Sequence, residues 1–151
     1  MPNWCEGTLK IRGDYEAIKR FAAQGIQKTE VGYEGPEDEE IDFHVYDIGH
    51  IKGTLRGFVQ SECIDIRRCD EHPEKGICAF NYKEAWMFGV EEWKKISKEY
   101  GFDVKILAIE SGMQFVQDVL IENGEIKKYT CTDYKGLENW LWECPFPLMG
   151  G

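Results

Sequence analysis

Alternation of apolar and polar side chains over several short stretches constrains this chain more than any other feature. Thr8-Leu9-Lys10-Ile11-Arg12 places Leu9 and Ile11 on one face, and a period of two becomes one buried face only in extended backbone. Cys5 and Gly7 share that parity, so Cys5 is expected to point into a core. Trp4 is then expected on the opposite side or folded over the sheet's end. The same pattern predicts strands at Ile41, Phe43 and Val45, in FDVKILAIE (102–110) and in MQFVQDVLI (113–121). VQSECIDIRR (59–68) and ICAFNYKEAW (77–86) read as a strand pair, joined through a linker that holds Pro73 and Gly76. Glu122-Asn123-Gly124-Glu125 is a turn into IKKYT.

Two stretches change period. Asp14 is a good helix cap, and Tyr15, Ile18, Phe21, Ala22 and Ile26 recur at helical spacing, which predicts a helix over 14–27. Val90, Trp93, Ile96 and Tyr100 define a second amphipathic helix that Gly101 stops. Asp133 is placed to cap a short last helix through Leu137, Trp140 and Leu141. Strand, helix, strands, helix, strands, short helix is the order of an α+β fold. Its simplest form is the ferredoxin-like plait, an antiparallel sheet with helices on one face, here with extra strands. The reading is one domain over 1–151, with an inserted acidic loop at about 28–57 and a C-terminal extension at about 130–151.

The chain's 151 residues suffice for a core without disulfides or metal. Its formal net charge of −10 repels phosphate backbones, which disfavours ordinary nucleic-acid binding and anionic membranes. It also suits a basic protein partner. MPNWCEGTLK has neither a basic nor an apolar leader region, and no stretch approaches a membrane helix. The expectation is a cytoplasmic protein with reduced cysteines. Edge strands of a small sheet make a homodimer a reasonable guess.

Candidate chemistry is sparse, and no cofactor is expected. Cys63, Cys69, His72 and Cys78 are zinc-ligand types, but their spacing matches no standard site, and free cysteines are the simpler account. His44, His50 and His72 lie in no known catalytic motif. GHIKGTLRGF lacks the phosphate-loop pattern, and its glycines favour a tight irregular connection, with Lys52 and Arg56 as weak anion-site candidates. Glu84, Glu110 and Asp118 lie on or near strands and would form an acid–base pair or Mg²⁺ site only if they converged. Tyr82, Trp86, Trp93, Phe115 and Tyr129 read better as packing than as a stacking platform for RNA.

The opening MPNWCEGTLKIRG, Ala85-Trp86 after a strand, the helix EEWKKISKEYGFDVKI and the following ESGMQFVQD occur here in one order. That order resembles the YubB-like family of small phage, prophage and plasmid proteins with a ferredoxin-like domain. The resemblance spans residues 1 to about 125. It departs at EAWMFGVEEW, where Glu84 stands for a threonine and the usual proline is missing. It implies a ferredoxin-like fold and a mobile-element origin. It implies no activity, so no catalytic residue is carried over. The matched positions are Pro2, Asn3, Trp4, Cys5, Trp86, Glu110, Gly112 and Phe115. The expected role is a non-enzymatic interaction module, one version of which counters a host defence or a nucleic-acid enzyme. The alternatives are a carboxylate-based hydrolase of a phosphate-containing substrate and single-stranded RNA binding on the sheet.

Overall fold

A computed structural model of the protein describes residues 3–27, 33–34, 40–42, 49–61 and 63–133. In chain order the elements are β1 (Trp4–Asp14), α1 (Tyr15–Arg20), β2 (Ile26–Gln27), β3 (Tyr33–Glu34), β4 (Glu40–Asp42), β5 (His50–Ile51) and β6 (Gly57–Val59). They continue with β7 (Cys63–Arg68), β8 (Lys75–Ala85), α2 (Val90–Tyr100), β9 (Asp103–Glu110), β10 (Phe115–Glu122) and β11 (Glu125–Asp133).

β1 is the central strand. It pairs along its whole length with β8, from Trp4 opposite Ala85 to Asp14 opposite Lys75, and on its other side with β9. The sheet runs β11-β10-β9-β1-β8-β6-β5-β2, and β7 pairs with the far end of β8. β4 attaches to β7, and β3 to β4. Every ladder among the described residues is antiparallel.

The expected ferredoxin-like α+β plait is corrected by this topology. Among the described residues the protein is mostly antiparallel sheet, with nine strands in one large sheet and two α-helices. Two sequence segments make the difference. The glycine-rich stretch read as an irregular connection contributes β5 and β6, and the 125–133 segment forms a nine-residue strand. Glycine spacing looked like loop because it hid the short apolar pair Gly57 and Val59 on one face.

The helix expected over 14–27 is also shorter. α1 ends at Arg20, a π-helical turn follows at Phe21–Gly25, and Ile26 already belongs to β2. Its apolar spacing survives because Ile18, Phe21, Ala22 and Ile26 are all buried. The strand expected over 59–68 is two strands, β6 and β7. The strand read at 41–45 is described only as far as Asp42, and the capped helix after Asp133 lies outside the described residues.

Both helices pack on the face of the sheet that holds Leu9, Ile11, Phe80 and Ile106. Trp93 anchors α2 there, stacked on Phe88 at 5.9 Å and edge-on to Tyr82 at 5.5 Å. Gly101 stops α2 in the left-handed conformation, φ 73°. Ser97 then ties the helix to two neighbours: its Oγ donates to Phe102 O at 2.6 Å and accepts from Gly124 N at 2.9 Å.

Candidate functional site: one end of the sheet

Register gathers the marked residues at one end of the molecule. Cys5 lies opposite Glu84 on one side and Glu110 on the other, Glu110 lies opposite Phe115, and Glu84 lies opposite Gly57. Three loops therefore leave the sheet side by side: 52–56 before β6, 86–89 after β8, and 111–114 between β9 and β10. Strand parity turns Cys5, Glu84, Glu110 and Gln117 inward, where each is almost fully buried.

Buried polar groups need hydrogen-bond partners, and here the partners are loop backbone. Glu110 accepts from Gly112 N at 2.8 Å and from Met113 N at 2.5 Å. Gln117 accepts the Phe88 N–H at 2.8 Å and donates from Nε2 to Phe88 O at 3.3 Å. The Cys5 thiol donates to the same Gln117 oxygen, Sγ to Oε1 3.6 Å. Glu84 Oε2 accepts from Gly89 N at 2.9 Å and from the Tyr82 hydroxyl at 2.9 Å, and that hydroxyl accepts from Trp93 Nε1 at 3.1 Å. Thr54 organises the third loop by donating to Ile51 O at 2.7 Å and accepting from Gly57 N at 3.0 Å. Gly57 is required by crowding, since a Cβ there would lie 2.0 Å from the Tyr82 hydroxyl oxygen.

Protonation follows from this burial. Removal from water pushes the Cys5 thiol up to about 12, with Glu84 and Glu110 adding to the shift. Cys5 is thus a neutral thiol and no nucleophile. Desolvation also raises the Glu84 carboxyl, assisted by the charge of Glu92 and opposed by the bonds from Gly89 and Tyr82.

The clamped loops present apolar side chains to solvent. Leu55 is 83% exposed, Met113 70%, Trp86 58% and Met87 45%. Adjacent strands are about 4.8 Å apart, so the three loops that carry them lie at one end of β9, β1, β8 and β6. Trp86 has φ 75°, a conformation that costs a bulky L-residue energy. The surrounding bonds hold it there: Trp86 N donates to Asn3 O at 2.8 Å and Met87 N to Ala85 O at 3.0 Å.

The other face of the same end carries Trp4. Its ring lies edge-on to Phe58 at 6.0 Å, with Lys83 Nζ 4.7 Å and the Arg56 guanidinium 5.8 Å from the ring centroid. His50 extends the row, 5.4 Å from Phe58. Trp4 therefore sits opposite Cys5 across the sheet, as strand parity predicts.

Among the described residues, several groupings weighed from the sequence do not form. Cys63 pairs with Asp42 on β4, Cys78 is buried opposite Ile66, Cys69 is exposed and His72 lies beside Glu74 at 3.6 Å. Among the described residues no group of three His, Cys, Asp or Glu is placed to hold a metal. Glu84 and Glu110 stand on opposite sides of β1, both committed to loop amides. Asp118 faces the other side of the sheet, where it pairs with Lys128. His50 is on that far face too. Lys52 is exposed at the start of its loop, with its N–H donating to Gly25 O at 2.8 Å. His44 lies outside the described residues. Of the aromatic set, Tyr82 and Trp93 are core, and Trp86 and Tyr129 are exposed.

Residues that sequence reasoning missed include Gln117, Tyr82's hydroxyl and the exposed Leu55, Met87 and Met113. Gln117 did carry a signal: it is the polar residue on the apolar parity of MQFVQDVLI. Exposed methionines at turns carried none.

The architecture defines an antiparallel sheet protein whose distinguishing surface is a set of pinned loops at one end. No family model, curated protein or solved structure matches the chain. Among the described residues no helix is long and apolar enough to cross a membrane.

Proposed function

We propose that this protein is a non-enzymatic binding module that docks a protein partner on the loop end of its sheet. The observation that carries this reading is the exposure of Leu55, Trp86, Met87 and Met113 on three loops whose backbones are fixed by buried side chains: Glu84 and Gln117 hold 86–89, Glu110 holds 111–114 and Thr54 holds 52–56. Contiguous exposed apolar side chains mark interaction sites, and Trp is prominent among residues that dominate binding energy. Fixing the loops in advance lowers the ordering cost of association. The dispersal of Glu84, Glu110, Asp118 and His50 gives a hydrolase reading no such support.

The net charge of −10 suits a basic partner. A host protein in the cytoplasm is the partner that the resemblance to phage and plasmid proteins suggests. The test is capture of a partner from host lysate by the purified protein and by its Trp86→Gly variant. A single basic protein retained at low salt, released as salt rises and lost with Trp86→Gly is the expected result. Equal retention by both proteins contradicts the assignment to this surface.

A further inference from the structure

We infer a second site, for the phosphate of a nucleotide, on the helix-free face around Trp4, Arg56 and Lys83. Among the described residues neither Arg56 nor Lys83 forms an ion pair, yet both hold their charge beside one indole. Glu6 is the acid nearest in register, opposite Lys83, and its carboxylate is engaged by Gln60 Nε2 at 3.4 Å instead. The two cations beside one ring outnumber that single carboxylate and so attract an anion, and a guanidinium offers paired donors to phosphate oxygens.

The surroundings favour a phosphate that carries a flat ring. Trp4, Phe58 and His50 form a continuous half-buried aromatic row beside the two cations. Cations interleaved with rings are the usual surface for nucleotide bases and their phosphates. The central strands of this face are not acidic. Its central strands, β8, β1 and β9, direct Lys10, Arg12, Lys75, Lys83 and Lys105 outward against Glu6, Asp14 and Asp103. The long-range field of the chain opposes nucleic acid, whereas within a Debye length of about 8 Å Arg56 and Lys83 beside Trp4 outweigh Glu6. This site borders the apolar loop rim through Arg56, which shares a loop with Leu55, but it does not depend on the protein-binding reading.

The experiment follows the indole N–H resonance of Trp4 while the full chain is titrated with sodium phosphate, with adenosine monophosphate and with a single-stranded oligothymidylate. The variants are Arg56→Gln with Lys83→Gln, and a control that removes the same charge from the same face, Lys10→Gln with Lys105→Gln. A saturable shift with the nucleotide or the oligonucleotide, weakened at least about tenfold in the first variant and less than about threefold in the control, is the expected result. Oligonucleotide binding much tighter than nucleotide binding assigns the phosphate to a single strand, and the logarithmic salt slope should then fall by about 1.4 in the first variant, from ~0.7 per phosphate contact. Equal binding assigns it to the free nucleotide. No shift with any of the three probes, or a shift that survives loss of both cations, overturns the site.

Discussion

Gln117 and Phe88 exchange two hydrogen bonds, one in each direction between the Gln117 side-chain amide and the Phe88 backbone. The pair joins β10 to the loop after β8 across the buried end of the sheet. It fixes the backbone next to Trp86 and Met87 without contributing to the exposed surface. Gln117→Leu leaves the Phe88 N–H and C=O buried and unpaired, which costs about 1–3 kcal/mol. Chemical denaturation is expected to show that loss. Amide exchange of residues 86–89 should speed up more than that of β11, whose residues are all exposed. A uniform change across the chain would argue that Gln117 supports the core generally rather than this loop.

Trp86 separates stability from binding. Its left-handed backbone, φ 75°, suits glycine, and the conformation costs an L-residue roughly 1–2 kcal/mol. Trp86→Gly removes a side chain that is 58% exposed, so little packing is lost. The thermal midpoint is expected to stay level or rise while partner capture is lost. A fall of several degrees would mean that the indole packs on the fold and that its exposure has no functional meaning.

Glu84 sets the sign of one pH dependence. Its folded pKa is raised above 4.5, chiefly by burial. Between the unfolded and the folded value the native state binds more protons than the unfolded state, so stability falls as pH rises. The contribution is complete below the unfolded pKa and is lost as pH climbs through the folded one. Glu84→Gln keeps an oxygen for Gly89 N and the Tyr82 hydroxyl and places an amide toward Glu92. It is expected to be more stable than the parent at neutral pH, with the difference shrinking as pH drops through the raised folded value toward 4.5. Denaturation curves at several pH values check this. A parent that gains on the variant as pH rises would contradict it.

Cysteine labelling tests the inertness of the thiol end. Cys5 and Cys78 are buried, with thiols pushed up to about 12, whereas Cys69 and Cys131 are exposed. With iodoacetamide at mildly alkaline pH, mass spectrometry should find Cys69 and Cys131 modified in the native protein and Cys5 modified only after unfolding. Fast modification of Cys5 would reveal an accessible thiolate.

Much of this end of the molecule was legible in the chain itself. Parity alone put Cys5 inside and Trp4 outside, and helical spacing found Trp93 and Ile96. Parity works because a strand with one buried face has no freedom to turn a single side chain over. Sheet order was not legible. Whether β6 or β7 joins a given stretch of β8 depends on contacts between segments far apart in sequence, and the two-residue β5 carries too few residues to show a period. The roles of Glu84 and Glu110 were hidden for a related reason. A carboxylate that clamps loop amides and one that performs acid–base chemistry look alike until the backbone N–H groups are placed around them. Glycine-rich 49–57 misled for the opposite cause: Gly57 is there because Tyr82 leaves no room for a side chain, not because the backbone bends.

The central claim is that the partner docks on the loop end of the sheet, and site-specific photo-cross-linking tests it most directly. A photoreactive amino acid is placed at Met113, Leu55 or Trp86, and in control proteins at Lys10 or Tyr129, and each protein is irradiated in cell lysate. One shared adduct from the three loop positions, missing from both controls, is the expected result. The same adduct from the controls, or no adduct from any loop position while the unmodified protein still retains a partner, would contradict the claim.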